Sequence, residues 1–186
     1  MRLLRKRYDD IEKVVLKLYT MIKITRFPIS CYDICKQLGI ELFPYSKLSS
    51  KKQAAALETS KDGFYMIVEV QKGVIEYRIY YNDTMLRERI RFTIMHEIAH
   101  IMLDHLEHSD LAESEANYFA AYALAPPPLI LAKNISDYVE IAAVFDISMQ
   151  CALYAMRRYT KWLNYGAPDL LEHEQELLMI FQLLLQ

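Results

Sequence analysis

His96-Glu97-Ile98-Ala99-His100 is the stretch on which the reading of this chain turns. Four residues make slightly more than one helical turn, so on a helix both imidazoles leave the same face and can reach one cation at about 2.0–2.1 Å each. Glu97 falls one residue round, near enough to hydrogen-bond a water at that cation without being a ligand. Zinc lowers the pKa of such a water toward about 7, and the carboxylate can accept its proton and later deliver it to a leaving amine. A metal-dependent peptidase needs this arrangement. In a chain with this many histidines and glutamates the five-residue pattern is expected by chance about 0.01 times, so coincidence explains it poorly.

The motif lies inside Met85 to about Asp104, a stretch without Gly or Pro. Ile90, Ile94, Met95, Ile98, Ile101 and Met102 make it read as a long, largely buried helix, begun by the capping chemistry of Asn82-Asp83-Thr84. Upstream, Phe64–Val70 and Val74–Tyr81 read as strands joined by Gln71-Lys72-Gly73. In the second, Ile75, Tyr77, Ile79 and Tyr81 alternate with Glu76, Arg78 and Tyr80, a half-buried strand that the pattern suggests lies at a sheet edge. Residues 9–24 form an amphipathic helix, Ser30 caps a helix through Leu38 that Gly39 closes, and Ile40–Tyr45 is a short strand. Residues 46–62 read as a loop or short helix.

Downstream, a polar break from His105 to Asp110 precedes a helix from about Leu111 to Leu124. Asp110 and Glu113 stand in capping-box spacing, and Pro126-Pro127-Pro128 is its stop. Residues 129–165 read as two or three helical pieces around Asn134 and Asp146. Gly166-Ala167-Pro168 separates residues 1–165 from a final amphipathic helix, so the organisation expected is one domain over 1–165 and a C-terminal helix over 166–186.

Two histidines leave a coordination shell incomplete. The pattern H-E-x-x-H-x-x-G-x-x-H is excluded, because Leu103 and Leu106 stand where it requires Gly and His. The following helix offers two carboxylates, Glu113 and Glu115. Glu113 and Asn117 share a face, so Glu113 can bind the metal while Asn117 accepts the far N–H of a liganding imidazole, and Glu115 points roughly opposite. His105 and His108 are alternative ligands, but read more simply as exposed residues past a helix end. Tyr118, Tyr122 and Tyr154 are candidate donors to an oxyanion, although packing is the simpler reading of each. Cys31 and Cys35 read as small apolar residues.

Composition narrows the remaining classes. The chain has 186 residues, 22 Lys+Arg against 24 Asp+Glu for a net charge of −2, and 53% hydrophobic residues with only 4 Gly and 6 Pro, which excludes a disordered or low-complexity chain. Near-neutral charge argues against a protein whose main task is neutralising phosphates. Residues 139–159 read as helix, tight turn, helix, but the second helix opens with Ser148, Met149 and Gln150 and carries Arg157 and Arg158 only near its end. Packing is the better reading, and no direct nucleic-acid partner is expected. Three cysteines, the close pair spaced C-x3-C, argue against a disulfide framework. With neither an export signal nor a membrane-length apolar run, a cytoplasmic protein is expected.

His96-Glu97-Ile98-Ala99-His100 follows Arg89-Ile90-Arg91-Phe92-Thr93, and Glu113, Ala116-Asn117, Phe119-Ala120-Ala121, Leu124 and Pro126 come after it. This set resembles the ImmA/IrrE family of zinc metallopeptidases, strongly over Tyr77–Pro128. The resemblance implies Zn2+ held by His96, His100 and Glu113, and Glu97 as catalytic base. It also implies a phage or mobile-element setting, with a helix-turn-helix repressor as protein substrate. The fold expected is α+β and zincin-like, a small, mainly antiparallel sheet packed on the HExxH helix, with a helical C-terminal half. The function expected is hydrolysis of a peptide bond in that repressor by a water that Glu97 activates, with the substrate strand added at the sheet edge near Ile75–Tyr81. The alternative is a zinc-stabilised regulatory module that inactivates the repressor without cutting it. The C-terminal helix offers a homodimer contact.

Overall fold

The structure is a computed structural model that describes residues 3–107, 109–165 and 170–182. The Gly166-Ala167-Pro168 break, His108 and the end of the C-terminal helix expected to reach Leu185 lie outside the described residues. In chain order the helices and strands are α1 (Arg5–Met21), α2 (Cys31–Leu38), β1 (Glu41–Pro44), α3 (Ser50–Thr59), β2 (Gly63–Gln71), β3 (Val74–Tyr81), α4 (Arg87–Met102), α5 (Asp110–Leu124), α6 (Pro127–Ala132), α7 (Tyr138–Phe145), α8 (Met149–Tyr165) and α9 (Glu172–Ile180). The fold is α+β and consistent with a zincin-like architecture. It comprises two compact units, Ser30–Leu106 and Met1–Ile29 with Glu107–Gln186.

In the unit Ser30–Leu106, α2 begins as its sequence requires. Ser30 Oγ accepts from the Asp33 N–H at 3.2 Å, and Gly39 at φ +69° closes the helix in the left-handed region. The sheet has the order β1-β3-β2. β2 and β3 pair antiparallel, whereas β1 runs parallel to β3 from Glu41 opposite Arg78 to Pro44 opposite Tyr81. The sheet is therefore mixed, with its longer pairing antiparallel. β3 is the central strand, a correction to the edge position that its alternation suggested. Alternation reports which face of a strand is buried and carries no information about neighbours in the hydrogen-bonding direction. Phe43, Tyr80 and Phe64 stack in one row across all three strands, with centroids 5.0 and 5.2 Å apart.

The opposite face, carrying Leu42, Ile79 and Tyr65, belongs to the side on which α4 packs against β2 and β3. Close approach there depends on Gly63, where a Cβ would lie 2.7 Å from Thr93 Cγ2 and 2.8 Å from the Tyr80 carbonyl oxygen. α4 is not capped by Asn82-Asp83-Thr84 as expected. Its N-cap is Leu86, without a side-chain bond, and Asn82 instead turns its carbonyl oxygen to the Thr84 N–H and hydroxyl, at 3.1 and 2.7 Å. A short polar side chain satisfies its own turn more readily than a helix four residues away. Residues Ser50–Thr59, left open between loop and helix, form α3.

In the other unit, α1 packs against α5 and α9, and α8 against α5, α6 and α7. Ile11, Val15, Leu18 and Tyr19 of α1 and Ala116, Phe119, Ala120 and Ala123 of α5 are all fully buried. Alanines on α5 leave room for the aromatic and branched side chains of its neighbours. The cap of α5 is Ser109, which accepts from the Ala112 N–H at 3.1 Å, one residue earlier than Asp110. The triple proline both ends α5 and begins α6, with Pro127 in the first helical position. Asn134 and Asp146 stand at φ +53° and +54° and mark the breaks before α7 and α8. No single described helix is long and apolar enough to cross a membrane.

Candidate metal centre

The centre begins on α4, in the unit Ser30–Leu106. Helical spacing brings His96 and His100 to one face, with their Nε2 atoms 3.0 Å apart. Nitrogens that converge this closely suit a single ion bound at about 2.0–2.1 Å from each. Each ring is braced by an aromatic neighbour: Tyr65 stacks on His100 with centroids 5.7 Å apart, and Phe92 lies against His96 at 6.5 Å. His100 is 3% exposed, so its orientation is fixed by packing rather than by solvent.

Glu97 is also buried, at 7% exposure, and its Oε2 accepts the backbone N–H of Tyr65 at 3.1 Å. This bond ties the carboxylate to β2. In an antiparallel pair each residue directs both its N–H and its C=O either toward the partner strand or away from it. Since the Tyr65 N–H is turned to Glu97, residues 65, 67 and 69 direct their backbone groups away from β3. β2 has no second neighbour among the described strands, and Met66, Ile67 and Val70 are 47, 43 and 38% exposed on it. A hydrophobic strand with an open edge therefore lies beside the Glu97 carboxylate.

His105 is not the exposed helix-end residue that its sequence position suggests. It is half-buried, and its Nδ1 lies 3.0 Å from Nδ1 of His100, the nitrogen opposite the one that faces His96. The cause is the end of α4. Asp104 enters the left-handed region at φ +53°, and the His105 N–H then returns to the His100 carbonyl at 3.0 Å. The Tyr65 hydroxyl donates to the His105 carbonyl and holds the same turn. Burial, reinforced by Glu97, raises the Tyr65 pKa above the usual phenol value, which keeps that donor protonated. Burial likewise pushes Tyr45 up to about 12, with Glu97 and Asp62 adding to it.

The other sequence candidates separate by element. Glu113 is half-buried in the first turn of α5, in the helical unit. Glu115 is buried on the same helix and binds the Arg7 guanidinium through both oxygens, Nε to Oε1 at 2.6 Å, which commits it to an ion pair. Tyr118 donates to Glu12, and Tyr154 is 54% exposed with Arg157 over its ring at 5.8 Å. Cys31 and Cys35 are buried, with thiols pushed up to about 11 and 12 by burial, as befits small core residues.

This donor set suits a divalent-metal site: two imidazole nitrogens that converge, an adjacent carboxylate tied to β2, and a ring-to-ring contact behind His100. In comparison with known proteins, the model of the IrrE N-terminal-like domain, Peptidase_M78, matches residues 35–157, more than half of the chain and including all of α4 and α5. No curated protein matches the sequence.

Proposed function

Because this chain belongs to the family of the IrrE N-terminal-like peptidase domain, we propose that it is a zinc-dependent endopeptidase acting on a helix-turn-helix repressor in the cytoplasm. The observation that carries this reading is the pair of Nε2 atoms 3.0 Å apart beside a buried Glu97 that is tethered to an open strand edge. His96, His100 and Glu113 are the residues that would hold the ion. When bound there, zinc supplies Lewis acidity, polarising a peptide carbonyl and acidifying a water.

Glu97 is the general base. Its carboxylate takes the proton of the attacking water and returns it to the amide nitrogen as the peptide bond breaks. The Tyr65 N–H on Oε2 keeps the carboxylate in one orientation through both transfers. His105 does the same for the His100 ring: were His100 to hold the ion, its Nδ1–H would donate to His105 Nδ1, 3.0 Å away. The substrate enters as an extended strand and pairs with the outward backbone groups of Ile67 and its neighbours on β2. This moves the docking edge from Ile75–Tyr81, where β3 is flanked by β1 over Arg78–Tyr81, to β2.

Incubation of the zinc-loaded chain with a helix-turn-helix repressor from the same genome tests the reading. Discrete repressor fragments that disappear with chelator and with Glu97→Gln support a peptidase. Release of DNA by an intact repressor, undiminished in Glu97→Gln, replaces it with a regulatory binding module.

A further inference from the structure

We infer that the helical unit carries a second divalent-cation site, made by Glu12 of α1 with His173 and Glu174 of α9 and completed by the Tyr122 hydroxyl of α5. The inference is independent of the peptidase reading. One ligand atom from each of Glu12, His173 and Glu174 lies within 4.8 Å of the other two. The three residues are 8, 5 and 2% exposed. Two carboxylates are rarely buried side by side without a cation to balance them.

Each carboxylate is oriented from behind, as metal ligands usually are. The Tyr118 hydroxyl donates to Glu12 Oε1, the Trp162 Nε1–H donates to Glu174 Oε1 at 2.6 Å, and the Leu171 N–H donates to Glu174 Oε2 at 2.8 Å. His173 Nε2 faces Glu12 Oε2 at 2.9 Å. Each of these carboxylate oxygens keeps a second lone pair beyond the bond it accepts.

Tyr122 supplies the independent sign. It is 2% exposed, its hydroxyl has no hydrogen-bond partner among the described residues, and its ring lies one turn along α5 from that of Tyr118, centroids 6.1 Å apart, whose hydroxyl donates to Glu12. A buried hydroxyl is not normally left unsatisfied. An ion or a water at the cluster accounts for it, and the charges favour the ion. Arg158, which donates to the Ala121 and Ala125 carbonyls at 2.8 and 3.3 Å, provides one positive charge near Glu12. Set against the two carboxylates, this leaves one negative charge without a permanently cationic partner.

One imidazole among carboxylate and phenol oxygens selects a first-row transition ion such as zinc or manganese over calcium or magnesium, which prefer oxygen alone. The open groove between α1 and α9, lined by Leu16, Lys17, Glu172 and Glu176, includes His173 and gives an ion a way in. Bound there, the ion ties α9 to α1 and α5.

Trp162 is the single tryptophan of the chain and touches the proposed ligand Glu174, so its fluorescence reads this site. The full-length His96→Ala/His100→Ala chain is titrated with Zn2+ and, separately, with Co2+. The expected result is a saturable change of Trp162 emission at one ion per chain, quenching by Co2+, and a thermal midpoint that rises with Zn2+. Adding Glu12→Gln and His173→Gln lowers the affinity at least tenfold. Tyr122→Phe serves where that variant does not fold. It removes an unpartnered hydroxyl, so without metal it is at least as stable as its parent, and with Zn2+ its affinity falls several-fold. Absence of a saturable Trp162 response overturns the proposal and leaves Glu12 and His173 as a closed hydrogen-bonded latch. Affinity unchanged from the parent in both the Tyr122→Phe and the Glu12→Gln/His173→Gln chains overturns it too, by placing the ion elsewhere.

Discussion

Replacing His105 with alanine isolates one bond behind the metal centre. The two main-chain contacts of His105, its N–H to the His100 carbonyl and its own carbonyl under the Tyr65 hydroxyl, survive the substitution. Only the 3.0 Å contact between its Nδ1 and that of His100 is lost. His100 then keeps its place on α4 and its stack on Tyr65, but its Nδ1–H has no fixed acceptor. Loss of such a partner typically weakens metal binding by about 10- to 100-fold, which is about 1.4–2.7 kcal/mol. Competition with a chromophoric zinc chelator measures this directly, and the thermal midpoint of the metal-free protein controls for damage to the fold. His105→Asn, which can place an acceptor near the lost nitrogen, should recover part of the affinity. A His105→Ala affinity within about threefold of the parent, below the range for such partners, would refute the assignment and return His105 to the role of a turn residue.

Four further outcomes are expected. Glu97→Gln keeps the metal, since Glu97 is not a ligand, and loses about 10²- to 10⁴-fold in cleavage rate; measured zinc content and a repressor-cleavage assay separate the two. Ile67→Pro removes an outward N–H without touching the β2–β3 ladder, so kcat/KM should fall while zinc affinity stays unchanged. Gly63→Ala forces a methyl group against Thr93 and the Tyr80 carbonyl and should cost about 1–3 kcal/mol in denaturant unfolding. For pH, the Arg89 guanidinium at 2.6 Å holds the Asp62 carboxyl below its ordinary value. A depressed carboxyl stabilises the fold above its unfolded pKa and loses that contribution as pH falls through the folded value. The gap in melting temperature between the parent and Arg89→Ala should therefore be present at pH 7, begin to shrink near the ordinary Asp value of about 3.9 and disappear well below it. A gap that persists there would count against the ion pair.

What the sequence disclosed and what it withheld follow from the range of the forces involved. The turn of α4 that unites His96 and His100 is local, as are the Ser30 cap, the Gly39 closure and the breaks at Asn134 and Asp146, and all were legible from periodicity and side-chain chemistry. The central position of β3 was not, because β1 reaches it only after a crossover, and strand order is set by contacts between residues more than thirty positions apart. The caps of α4 and α5 were misplaced by one to a few residues. At Asn82 and at Ser109 more than one short polar side chain competed, and the winner was decided by which N–H lay in reach.

His105 shows the same limit at the candidate centre. The sequence contained the clue, a residue tolerant of the left-handed region at position 104 directly before a histidine, but a helix-ending turn specifies only that the chain folds back. Which ring it meets depends on Tyr65, forty residues earlier on β2, whose hydroxyl holds the turn and whose ring covers His100. The edge strand thus contributes to the centre three times: through the Tyr65 N–H on Glu97, the Tyr65 ring on His100 and the Tyr65 hydroxyl on the His105 turn. A strand that braces both the base and a ligand while leaving its own outer edge open couples substrate pairing to the orientation of the reacting groups. Displacement of β2 should for that reason lower metal affinity and cleavage together, whereas blocking its outer edge should lower cleavage alone.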